Sequence, residues 1–115
     1  MQSRFRLTRS EDFKRVRQNG KSYAHPLVVL VTQSSELKDP RVGVTAGRTT
    51  GSAVHRNRAK RLLREVMRPL LPSLASHQDV VLIARPKLVT ATLAETREAV
   101  IGLLRRAKIL LSDGT

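Results

Sequence analysis

The chain has no cysteine and no tryptophan, and its 115 residues include only two phenylalanines and one tyrosine. Without cysteine there can be no disulfide framework, thiolate nucleophile or thiolate metal site. That suits a reducing compartment, and the cytoplasm is the expected location. With so few aromatics the core must be aliphatic. Acidic residues are also scarce: nine Asp and Glu stand against 22 Lys and Arg, for a formal net charge of +13 and a pI near 11.7. Self-repulsion on that scale is tolerable when a polyanion neutralises it, so nucleic acid is the expected partner. Long hydrophobic runs are missing as well. "LVVLV" at 27–31 and "VVLIA" at 80–84 are too short for a membrane span or a secretory core, and no membrane association is expected. The arginine-rich start would suit a transit peptide, but the acids of "SEDF" and the helical signals around them argue against one.

What is present reads as one small domain over residues 1–115. Thr8 with Glu11, or Ser10 with its following acids, can start a helix near residues 9–11. That helix turns Phe13 and Val16 inward and ends at Asn19 and Gly20, where a left-handed residue costs little. "LVVLVTQ" at 27–33 and "RVGVTAG" at 41–47 read as adjacent strands, a hairpin around "SSELKDP". "GRTTGSAV" at 47–54 leads into a second helix capped by Ser52, and it lacks the lysine and glycine spacing of a nucleotide-triphosphate loop. From 53 to about 71, Ala59, Leu62, Leu63, Val66, Met67 and Leu70 follow helical spacing, and Pro72 closes the helix. "DVVLIA" at 79–84 reads as a buried strand. Thr92 and Glu95 then make a capping box before a third amphipathic helix carrying Val100, Leu103, Leu104, Ala107, Leu110 and Leu111. The class is α+β, a small sandwich whose sheet is covered on one face by helices.

The second helix carries the strongest chemical signal. At about 100° per residue, Asn57, Arg61, Arg64 and Arg68 fall within about 60° of one another, opposite the leucine stripe. Lys60 and Arg58 flank this ridge, Arg56 projects past the helix N-terminus, and Glu65, the one acid, is spaced to pair with Arg61. A merely solvated face would mix signs. Here the first turn holds cations, the wrong charge for the helix dipole, so something must compensate, and phosphates do so. The excess of arginine over lysine favours forked phosphate contacts and base stacking. A helix-turn-helix DNA reader is not supported, because the region before residue 53 reads as strand and loop.

All three aromatics, Phe5, Phe13 and Tyr23, lie among Arg4, Arg6, Arg9, Lys14, Arg15, Arg17 and Lys21. Rings for stacking within a basic groove are what single-stranded nucleic acid needs. His25, His55 and His77 have no metal-ligand spacing, and the acids, Asp79 among them, read as capping, surface or turn residues. No catalytic or metal-binding residue is expected in this chain.

"GSAVHRNRAKRLLREVMR" closely resembles the signature of the protein subunit of bacterial ribonuclease P. "RLTRSEDFKRVRQNGK", "RVGV" and "DVVLIAR" follow the family's order over most of the chain. The resemblance implies an order αβββαβα, a mostly four-stranded sheet and a left-handed βαβ crossover. It implies a subunit that binds the catalytic RNA and the 5′ leader of precursor tRNA, assisting endonucleolytic removal of the leader. Catalysis and Mg²⁺ would belong to the RNA, with no obligate protein partner. By position, Arg56, Asn57, Arg58, Lys60, Arg61 and Arg64 would contact the RNA subunit and Phe13 the leader; Arg48 and Arg68 are expected beside the first set, and Arg9, Arg17, Tyr23 and Val31 beside Phe13. Arg17 stands where the family often has a second aromatic, and Arg48 and Thr49 where it often has two lysines, so grip by charge would replace some stacking. Tyr23 would substitute for an aromatic usual on the first long strand. A ribosomal or other structural RNA-binding protein shares the charge and size, and only the resemblance separates the two.

Overall fold

The structure, a computed structural model, describes residues 3–111. Its elements run α1 Ser10–Asn19, β1 Lys21–Ala24, β2 Val28–Ser34, β3 Arg41–Ala46, α2 Ala53–Met67, β4 Gln78–Ala84 and α3 Leu93–Arg106. The α+β class and the element order are as expected. The sheet order is β1-β2-β4-β3, with β1·β2 and β2·β4 antiparallel and β3·β4 parallel.

The expected hairpin of β2 and β3 does not form, because β4 lies between them. The reason is burial. Residues 79–82 of β4 are buried without a break, so both faces of this strand need cover, and only an interior position provides it. The loop after β2 is tied to the approach of β4 instead: Ser35 N–H donates to His77 O and His77 N–H to Lys38 O. The parallel β3·β4 pair is then joined by a crossover through α2.

Side-chain alternation sorts the sheet into two faces. Val28, Leu30, Val42, Val80, Leu82 and Ala84 pack with Leu63, Val66 and Met67 of α2 and Val100, Leu103 and Leu104 of α3. On the reverse face Val31 and Val81 meet Leu7 and Val16, with Phe13, Val29 and Ile83 at the margin. The expected cover on one face therefore holds for α2 and α3, while α1 lies across the other. Two residues make this possible: Val16 is fully buried, and Gly20 lets the chain turn back tightly. The glycine is needed for space rather than for a left-handed turn. Its φ is −81°, and a Cβ there would lie 2.5 Å from Val16 O and 2.8 Å from Thr32 O.

Helix ends follow the sequence in part. Ser52 Oγ accepts from His55 N–H, and Thr92 and Glu95 make both halves of the capping box. For α1 the N-cap is Arg9 with no side-chain cap, so neither Thr8 nor Ser10 caps it and the acids Glu11 and Asp12 serve its first turn. α2 tightens at Arg68 into a 3₁₀ turn, Arg68–Ser73, that contains Pro69 and Pro72. α3 ends at Arg106, short of Leu110 and Leu111. Lys108 adopts φ 60°, and Leu110 instead bridges to Leu74.

Candidate nucleic-acid interface

On α2, Ala59, Leu63, Val66 and Met67 are buried, while Asn57, Arg58, Arg61 and Arg68 are exposed and Arg56, Lys60 and Arg64 half-buried. The cationic ridge thus faces solvent. Its N-terminal end is held in place by its own arginines. Arg56 reaches back to Gly51 O at 3.4 Å, and Arg58 donates to Val89 O at 2.6 Å in the 3₁₀ turn Pro86–Thr90. Arg48, exposed, opens the 3₁₀ turn Arg48–Thr50 just ahead of the helix. The Arg61–Glu65 pair that the spacing allows is not formed among the described residues, which leaves Arg61 available to an external anion.

The second surface lies between α1 and the sheet. Arg9 and Arg17 are exposed on α1, and Phe13 is half-buried with its ring against β3. Gly43 makes that contact possible, since a Cβ at this position would lie 2.5 Å from Phe13 Cζ and 3.0 Å from Leu7 O. Beyond α1 the same sheet face continues through half-buried Val29, Ile83 and Thr45, leaving an apolar floor beside a basic helix.

Two expected groove residues are placed elsewhere. Tyr23 pairs with Leu30, so it shares the α3 side of the sheet, where Arg106 lies 5.8 Å from its ring centroid and donates to Ala24 O. A residue on that face cannot stack with a ligand on Phe13. Val31 does share Phe13's face but is only 3% exposed, sealed in the cluster with Val16. Val29, one alternation earlier, takes the open position. Neither Val29 nor Ile83 was singled out from the sequence, although the every-second-residue rule applied to "VVLV" separates Val29 and Val31 from Val28 and Leu30.

Asp79 departs furthest from expectation. It is not a turn residue: it is completely buried on the central strand and binds two arginines from different elements. Arg41 of β3 grips it bidentately, Nε to Oδ1 at 3.0 Å and Nη2 to Oδ2 at 2.9 Å, and Arg15 of α1 reaches Oδ2 at 2.7 Å. Arg15 also donates to Asp12 at 3.2 Å and to Gln33 of β2. Burial disfavours the Asp79 carboxylate, but hydrogen bonds from Arg41 and Arg15, then their charges, outweigh it and hold its pKa below the usual Asp value. This clamp ties α1 to three strands. It also consumes the nearest carboxylates, and no group of three or more His, Asp or Glu among the described residues is placed to hold a metal ion.

Comparison with known proteins identifies the arrangement. Residues 1–108 match the family model described as Ribonuclease P. The chain is 37% identical over 111 residues to the ribonuclease P protein component of Chloroflexus aurantiacus, covering 96% of this chain and 82% of that one. It is 34% identical over 110 residues to that of Alkaliphilus metalliredigens, covering 96% and 99%. Among solved structures, the RNase P protein of Staphylococcus aureus superposes with a TM-score of 0.83 at 27% identity, over 92% of this chain and 97% of that one. That of Thermotoga maritima gives 0.78 at 30% identity, over 88% and 96%. With a basic ridge on α2, an apolar groove beside α1 and these matches over nearly its whole length, the chain belongs to the ribonuclease P protein family.

Proposed function

We propose that this chain is the protein subunit of a ribonuclease P holoenzyme, an endoribonuclease that removes the 5′ leader of precursor tRNA, and that it works in the cytoplasm. The α2 ridge with Arg48 binds the catalytic RNA, and the groove of Phe13, Arg9, Arg17, Val29 and Ile83 takes the single-stranded leader. The carrying observation is that the ridge helix α2 packs on one face of the sheet while α1 and its groove lie on the other, so one small protein can hold both RNAs at once. Single strands suit the groove because unpaired bases can lie on an apolar floor while phosphates meet Arg9 and Arg17. Its residues do not fit a Mg²⁺ site, since Asp12 and Asp79 are occupied by arginine; the Mg²⁺ of the holoenzyme is assigned to the RNA. The share assigned to the protein is binding and charge neutralisation.

The test is cleavage of precursor tRNA by a bacterial ribonuclease P RNA at low Mg²⁺, with and without the protein. Correct 5′ processing that depends on the protein is expected. Tight RNA binding without stimulation would return the chain to a general RNA-binding role.

A variant separates the groove from the ridge. Gly43→Ala should push the Phe13 ring off β3 at a stability cost of about 1–3 kcal/mol. It should weaken binding of leader-bearing precursor while leaving mature tRNA and RNA-subunit affinity unchanged. Thermal melts and paired binding isotherms check it, and equal losses on all three RNAs would refute the groove assignment.

A further inference from the structure

The outer edge of β3 holds a cleft of about 300 Å³, lined by Arg6, Leu7, Thr8, Phe13, Val42–Val44 and Arg64. It is distinct from the open sheet face, and three features mark it as a binding site rather than a packing fault. The first is unspent charge. Nearby Arg15 and Arg41 are consumed by Asp79 and Asp12, whereas neither the Arg6 nor the Arg64 guanidinium has an ion pair or hydrogen bond among the described residues, and no acid lines the cleft.

The second is an incomplete sheet edge. The N-terminal segment runs parallel to β3 for a single bridge, Arg6 with Val42, and Leu7 N–H donates to Val42 O at 3.0 Å. The chain then leaves toward α1. By alternation Val44 presents its N–H and C=O to the same edge, and no described backbone group pairs with them there. The third is Phe13, which lines this cleft and also the surface hollow beside Lys14 and Arg17, so the cleft and α1's basic surface share one ring.

We propose that this cleft is a subsite for one unpaired nucleotide of the leader. Its phosphate lies between the Arg6 and Arg64 guanidiniums, and its base lies against Phe13 and the free backbone edge of Val44. The assignment rests on the reading of the chain as a ribonuclease P subunit. A base edge carries donors and acceptors that can meet a strand's N–H and C=O, as an added β-strand does, and arginine forks suit a phosphodiester. Arg64, projecting from the ridge helix, places this nucleotide on the route between the RNA-subunit surface and the leader groove.

Amide NMR of the free protein titrated with hexauridylate tests the place. Shifts at Thr8, Gly43 and Val44 are expected. Shifts confined to Val29, Ile83 and Arg17 would overturn the subsite and leave the groove intact, and no shift anywhere would overturn both. Binding by the reconstituted holoenzyme tests the occupant. Arg6→Gln should weaken affinity for precursor tRNA with a leader of several nucleotides by about five- to tenfold, with no change for mature tRNA. Equal weakening for both, or a loss only in RNA-subunit affinity, would overturn assignment to the leader. The ribonuclease P reading stands or falls separately, on stimulation of cleavage by the unaltered protein.

Discussion

Asp79→Asn is expected to lower stability at neutral pH by about 2–3 kcal/mol, less than the 3–5 kcal/mol typical when a buried pair loses one partner. The discount follows from exposure: the Arg15 and Arg41 side chains are 36% and 21% accessible, so water rehydrates part of what the carboxylate leaves behind. For a domain of this size the midpoint of thermal unfolding should fall by roughly 10 °C. Because Asp79 has a lowered pKa when folded, its contribution is complete above the unfolded value, about pH 4, and is lost as pH falls through the folded one. Urea melts of the two proteins should therefore converge as pH drops below about 4. A gap independent of pH would assign the loss to packing instead of charge. Since Asp79 holds Arg15, the shorter of α1's two ionic ties to the sheet, the other being Asp12 with Arg41 at 3.8 Å, the variant should also weaken leader-dependent binding before it affects the ridge.

Arg61→Ala combined with Arg68→Ala is expected to weaken RNA-subunit binding by roughly 30-fold at about 0.1 M salt and to reduce the magnitude of the salt slope by about 1.4–1.8. The unaltered protein, neutralising about five phosphates, should show a slope of log affinity against log salt of about −3.5 to −4.5. Both residues are exposed and unpaired by any described acid, so stability should change by less than about 1 kcal/mol. Arg64 is left in place because it also lines the β3 cleft. Filter binding across a salt series checks the pair, and an unchanged slope would sink the ridge as the RNA-subunit contact.

How much of this was legible in the sequence depends on range. The ridge was fully legible, because helical spacing alone decides which side of α2 Arg61 and Leu63 occupy. Ser52 and the Thr92–Glu95 box were legible for the same local reason. Strand neighbours were not: nothing local in "RVGVTAG" says that its partner lies more than thirty residues on, so β2 and β3 read as a hairpin. Tyr23 was misplaced because a four-residue strand does not declare its register until Leu30 stands opposite. Asp79 was missed because its partners come from residues 15 and 41, and an acid before an apolar run looks like a boundary. Gly43, unremarkable in the sequence, acquires its meaning from a ring 30 positions earlier.

The position of β4 bears on synthesis. β3 has no sheet neighbour until residues 78–84 exist, and the anchor that fixes α1 is the second residue of that strand. Before residues 78–84 exist the strands amount to a β1·β2 hairpin and an unpaired β3, so α2 lacks the strand that joins those two pieces beneath it and the leader groove lacks Ile83 between Val29 and Thr45. One strand therefore serves both RNA-binding surfaces, lying under α2 on one face and holding α1 through Asp79 on the other, and it is laid down after both helices it supports.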